Sequence, residues 1–166
     1  VEAKVQADCE VGAVARIVVA VDGNPDSSRV VAWALQHAQS PDDSVQVIMT
    51  VSTGGLDEPH RVSRLLGAEQ ALQAVVEAGR VASAGSDVRV SRSVVEGDPT
   101  AVLNEATRGS DLLVLASHHL ASIPDGGITV GGLGGVRAGA CSVLVLPCGQ
   151  PQALSDGIPV PSGTAA

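Results

Sequence analysis

The chain has 166 residues, with 18 acidic side chains against ten basic ones and a formal net charge of −8. Hydrophobic residues make up 45% and charged ones 17%, which excludes a disordered chain and leaves enough apolar side chain for one buried core. Lys4 is the single lysine, the nine arginines are scattered and Trp33 is the lone aromatic ring, which argues against a nucleic-acid partner needing clustered cations and stacking rings.

The first predicted element is Arg16-IVVAV, a continuous β-branched run ending at Asp22, the pattern of a strand buried on both faces. Gly23-Asn24-Pro25-Asp26 breaks it, with Asn24 placed to cap a helix and Pro25 at its first position. Val30, Val31, Ala34, Leu35 and Ala38 follow at helical spacing, until Ser40-Pro41-Asp42-Asp43 stops the helix. Val45 to Val51 reads as a second strand. Gly54-Gly55 and Pro59 lead into a long helix from about His60 to Ala84, with Leu65, Leu66, Ala68, Leu72, Val75, Val76 and Ala82 on its inner side.

Asp87 to Val95 alternates Val88, Val90 and Val94 with polar residues, as a half-exposed edge strand does. Gly97-Asp98-Pro99-Thr100 is a second cap-plus-proline start, for a short helix through Arg108. Leu112 to Ala116 reads as another buried strand and Ser142 to Leu146 as the last, closed by Pro147. Strands alternating with helices give an α/β fold, a parallel sheet covered on both faces. Residues 1–15 and 149–166 lack periodicity and are expected to be mobile arms around a domain over 16–148.

No apolar run approaches the ~20 residues of a membrane span. Val1 to Ala15 carries acids and a cysteine where a signal peptide is basic and then apolar, so the cytoplasm is the expected location. The three cysteines form no CxxC, and a strand between Cys141 and Cys148 would hold them about 23 Å apart, so reduced thiols are expected.

Several chemistries fail on the residues. A P-loop needs GxxxxGK[ST], and the only lysine is Lys4. The first strand is followed by Asp22-Gly23-Asn24 instead of GxGxxG, and the third position of the Gly132-Leu133-Gly134 run falls on Arg137. There is no GxSxG elbow and no late lysine for a phosphoacceptor receiver. His118 and His119 are adjacent and point opposite ways on an extended chain, which favours a loop over a shared metal. His37 and His60 read as surface residues of helices. No residue set supplies a nucleophile with its base and orienter, so an enzyme is not expected. Open α/β sheets bind ligands beyond the carboxyl ends of their strands, which brings forward Asp22, Ser52, Thr53 and Ser117-His118-His119. Asp22 is either a turn residue or an acceptor for a ribose or base.

Three stretches in order, RIVVAVDGNPDSSRVVAWALQHA, VVEGDPTAVLNEATRGSDLLVLASHH and CSVLVLP, resemble the universal stress protein family over roughly residues 15–148. The resemblance implies a three-layer, adenine-nucleotide alpha hydrolase-like fold with a five-stranded parallel sheet in the order 3-2-1-4-5 and two helices on each face. It also implies a homodimer, commonly formed through the last strand, here Ser142 to Leu146, which would use an open sheet edge. ATP-binding members carry G-x2-G-x9-G-[ST] after the fourth strand, a backbone cradle for phosphates. Laid on this chain without gaps, that motif falls on Ala116, His119, Thr129 and Val130, and all four depart from it. His119 adds a side chain where backbone must approach phosphate, Val130 removes the hydroxyl, and Thr129 offers one a position early. A gapped alternative places Leu133-Gly134-Gly135-Val136 on the family's LG[ST]V and still lacks the hydroxyl. Asp22 and the backbone at Val51 match positions that contact the adenosine end in ATP-binding members.

Gly126 to Gly139 is the most unusual stretch. If Thr129 to Gly139 is helical, glycines 131, 132, 134 and 135 cost together ~3–4 kcal/mol relative to alanine. Either a helix presses its glycine face onto the sheet, or the segment orders on binding. The expectation is therefore a homodimeric regulatory or stress-tolerance module that is not a strong ATP binder. The alternatives are an ATP- or AMP-binding switch with an altered cradle, a protein-docking scaffold, or a carrier like a flavoprotein subunit.

Overall fold

The computed structural model describes residues 15–38, 40–84, 86–116 and 141–147, together with the backbone of residues 120–122 and 128–130. Strand β1 (Arg16–Val21) lies in the middle of a five-stranded sheet, buried from Ile17 onward as its unbroken β-branched run requires. It pairs with β2 (Ser44–Val51) on one side and β4 (Leu112–Ala116) on the other, both parallel. Beyond them stand β3 (Arg89–Glu96), paired to β2, and β7 (Ser142–Leu146), paired to β4. The order β3-β2-β1-β4-β7 is the 3-2-1-4-5 topology expected, with β7 as the fifth strand of the sheet.

Period-two alternation divides the core. Ile17, Val19 and Val21 face helix α1 (Ser27–His37) and helix α2 (Glu58–Ala82), together with Val45, Val47, Met49 and Val114. Val18 and Ala20 face the other way, with Ile48, Leu113, Leu115 and Leu103 of helix α3 (Pro99–Ala106). Among the described residues that second face carries α3 alone. With no Phe or Tyr in the chain, Val, Leu, Ile and Ala fill both halves.

The helix starts are partly as read. Asp98 caps α3 by accepting from Ala101 N–H at 2.9 Å, with Pro99 in the first turn. Helix α1 begins two residues later than a proline-first start predicts. Asn24 and Ser27 close a turn in which Ser27 N–H donates to the Asn24 carbonyl at 2.9 Å, and Asp26 holds the cap position without a side-chain capping bond. Helix α2 begins at Glu58, capped by Asp57 accepting from His60 N–H. Its inner stripe is narrower than expected. Leu72, Val75, Val76 and Gly79 are buried, whereas Leu66 is 60% exposed and Ala82 is exposed. Leu66 stands about 120° around the helix from Leu72, off the buried stripe, whereas its neighbour Leu65 lies on the stripe and is partly buried.

The short antiparallel pair β5 (Leu120–Ser122) and β6 (Ile128–Val130) had no signal at the sequence level. It corrects the helical reading at Thr129 and Val130: Thr129 pairs with Ala121, and Val130 with Leu120. The remainder of Gly126 to Gly139 lies outside the described residues, as do His118, Cys9, Cys148 and the terminal stretches 1–14 and 148–166.

Helices α1 and α2 meet at Gly79, where an added Cβ would lie 2.6 Å from Val31 Cγ1 and 2.8 Å from Val31 Cβ. At Gly67, three turns earlier on α2, an added Cβ meets nothing within 4 Å. Gly79→Ala is therefore expected to destabilise the fold by about 1–3 kcal/mol through overpacking. Gly67→Ala, in the same helix, is expected to be neutral or to stabilise by up to about 1 kcal/mol. Urea unfolding of the two variants checks this; equal midpoints would mean that α1 and α2 do not pack through Gly79.

Candidate functional site

Strand β1 stops at Val21, opposite Met49, while β2 runs on to Val51 and keeps its pairing with β3 through Glu96. Past Val21 the β1 side of β2 has no strand partner, and a cleft of about 430 Å³ opens there. Its floor is the carboxyl ends of the two strands, Val21-Asp22 and Met49 to Ser52. One wall is the small-residue face of α2, Gly67, Ala68 and Ala71, with Arg64 one turn earlier. Pro99 and Leu103 of α3 complete it. Ligands of open parallel sheets bind beyond the carboxyl ends of the strands, where strand order reverses. The order here reverses between β1 and β4, and the cleft opens beside that point, on the β2 side of β1.

Asp22 holds the turn after β1 and borders the cleft. As a turn residue its Oδ1 accepts from Asn24 N–H at 3.0 Å and from the Ser27 hydroxyl at 2.8 Å, while Oδ2 accepts from Asn24 Nδ2 at 2.6 Å. The same residue lines the cleft. Gly23 makes the turn at a φ of +83°, which L side chains rarely adopt, and an added Cβ would sit 3.6 Å from Ala71 and Met49. Val51 also lines the cleft, its carbonyl accepting from Gly97 N–H at 3.1 Å.

Of the four positions of the phosphate motif, Ala116 alone has a described side chain. Ala116 is buried at the end of β4 and does not line the cleft. Thr129 and Val130 belong to β6, and His119 lies outside the described residues. Of the two residues after β2, Ser52 lines the cleft while Thr53 is buried and donates its hydroxyl to Glu96 Oε1.

Thr53 belongs to a network that spacing did not reveal. Glu96, at the end of β3, takes a forked pair of bonds from Arg61, with Nη2 to Oε2 at 2.7 Å and Nε to Oε1 at 3.0 Å. Arg61 also reaches Glu58 at 3.4 Å. The hydrogen bond from Arg61, then that from Thr53, holds the Glu96 carboxyl below the usual carboxylate range. Glu96, and after it Glu58, raise the Arg61 guanidinium above its ordinary value. The network ties the start of α2, ahead of the cleft wall at Gly67 to Ala71, to the ends of β2 and β3. Arg61 and Arg64 could not be ranked from sequence, since both are helix arginines with acids nearby.

At the opposite end of the sheet, Asp43 is buried and accepts from Ala15 N–H at 2.8 Å and Ser40 N–H at 2.9 Å. Asp111 accepts from Arg16 N–H at 2.7 Å. These acids hold backbone and lie away from the cleft. Among the described residues no group of His, Cys, Asp and Glu is placed to hold a metal ion, and no helix is long and apolar enough to cross a membrane.

The sequence profile of the universal stress protein family matches residues 14–133. A universal stress protein crystallised with cAMP superposes with a TM-score of 0.59 at 21% identity, covering 81% of this chain and 98% of its own. A family member from Burkholderia pseudomallei gives 0.55 at 23% identity, over 81% of this chain and 96% of its own. One from Archaeoglobus fulgidus in complex with dAMP gives 0.52 at 18% identity, over 79% and 96%. These likenesses establish the shared fold. No curated protein sequence matches the chain.

Because the pKa of Glu96 is lowered on folding, its contribution to stability is complete above the ordinary value near 4.5 and is lost as pH falls below it. Glu96→Gln is expected to lower the urea midpoint at pH 7, and the gap from wild type is expected to narrow between pH 5 and pH 3. A gap that stays constant over that range would show that the Glu96 charge is not what Arg61 and Thr53 hold.

Proposed function

The chain belongs to the universal stress protein family, and from that premise we propose that it is a homodimeric, non-enzymatic regulatory module that takes an adenine nucleoside or its monophosphate in the cleft beyond β1 and β2. The observation that carries this reading is the meeting of Asp22 and Val51 in one cleft with apolar surfaces at Val21, Met49 and Ala71. A carboxylate suits ribose hydroxyls, strand-end backbone suits the edge of a base, and apolar walls suit its faces. Structures of similar fold hold cAMP and dAMP, each an adenine nucleotide with a single phosphate. The departures at Ala116, His119, Thr129 and Val130 argue against a triphosphate held in the usual manner, and the pairing of Thr129 and Val130 in β6 supports that argument.

Dimerisation through β7 is part of the proposal. Ser142 N–H donates to the Asp111 carbonyl at 3.2 Å, so strand alternation turns the N–H of Val143 and Val145 to the outer edge. Among the described residues that edge has no strand partner, and a second copy would complete it. A reducing cytoplasm is the compartment that suits Cys141, a free thiol whose pKa is pushed up by burial, which leaves less reactive thiolate.

Asp22→Ala is expected to weaken adenosine binding by about 1.5–3 kcal/mol in isothermal titration calorimetry. Ser27→Ala, which loosens the same turn but leaves the carboxylate, is expected to stay within about threefold of wild type, a change below 1 kcal/mol. Unchanged affinity in the Asp22 variant would leave Asp22 as a turn residue only. For the dimer, Val145→Pro removes an outward N–H without touching the bonds to β4, and light scattering is expected to report a monomer. A mass equal to wild type's would reject this interface.

A further inference from the structure

Arg61 and Arg64 sit one turn apart on α2 and have different fates. Arg61 is bound by Glu96 and Glu58. Arg64 makes no hydrogen bond or ion pair with a described residue, is exposed, and is the only cationic side chain among the described residues that line the cleft. Its helix leaves room beside it: Gly67 follows within a turn, and an added Cβ there would meet nothing within 4 Å. In a chain with a net charge of −8, an anionic ligand entering beside Asp22 needs a local cation. A guanidinium presents a planar fork of donors matched to phosphate oxygens, and it stays charged at any working pH.

We propose that Arg64 is the phosphate ligand of this cleft, so that the site takes a nucleoside with one phosphoryl group and holds that group from α2 instead of from the segment after β4. This rests on the reading of the cleft as a nucleoside site and adds to it the charge the ligand carries and the residue that selects it. One guanidinium matches one phosphoryl group. Further phosphates would find no second cation among the described residues of the cleft.

The test is calorimetric titration of the full chain with adenosine, AMP and ATP with magnesium, repeated on Arg64→Gln, Arg64→Lys and the remote control Arg80→Gln. Wild type is expected to bind AMP about tenfold more tightly than adenosine, and ATP no more tightly than AMP. In Arg64→Gln the preference for AMP is expected to vanish while adenosine affinity holds. Arg64→Lys should restore part of it, and Arg80→Gln, with the same loss of charge, should leave it unchanged. Equal affinity for adenosine and AMP in wild type, or equal weakening of both in Arg64→Gln, would overturn the role of Arg64 while keeping the nucleoside site. Failure of all three ligands to bind would overturn the nucleoside reading and this assignment together.

Discussion

The structure depends on the burial of β1 on both faces and both edges. Ile17 to Val21 carry apolar side chains above and below, and every neighbouring strand is positioned by pairing, directly or through one strand, with this one. The strand's start is fixed by two carboxylates that accept backbone N–H groups, Asp43 from Ala15 and Asp111 from Arg16. Bonds of this kind, from N–H to a charged acceptor, contribute about 1.5–3 kcal/mol each when sheltered and less where water reaches them. They set the register in which β1 finishes opposite Met49 and β2 does not.

The cleft follows from that difference in length. Where β1 ends, Asp22 turns the chain away, and Asn24 and Ser27 hold its carboxylate at the lip. The wall across from it is low because α2 offers Gly67, Ala68 and Ala71 there, with the larger Leu72, Val75 and Val76 on the sheet side. Arg61 binds the helix start to the end of β3, so the wall is held without spending Arg64. Arg61 is thereby engaged with Glu96, while Arg64, one turn on, is exposed at the cleft.

Much of this was legible from residue order. The runs Arg16–Val21 and Leu112–Ala116 are too uniformly apolar for half-exposed strands, and Asp98-Pro99 can do little but start a helix. Asp22 was identifiable because it follows a buried parallel strand directly. What escaped were contacts between distant residues. Glu96 and Arg61 are 35 positions apart and Asp43 and Ala15 are 28 apart, and neither pairing leaves a local pattern. Leu66 misled because it stands about 120° around the helix from Leu72, off the stripe that Leu65 and Ala68 share with Leu72. The β5–β6 pair was missed because three-residue strands, one of them inside the glycine-rich stretch, have too few positions to show alternation.

Amide chemical-shift mapping with AMP on the isotope-labelled chain tests the central claim most directly, because it asks where the ligand sits as well as whether it binds. The account predicts that the amides of Gly23, Val51, Ser52, Gly67 and Ala68 move together along one saturable curve. Shifts clustered instead around Trp33 and Leu146, which line a separate hollow between α1 and the end of β7, or no shifts at millimolar AMP, would contradict it.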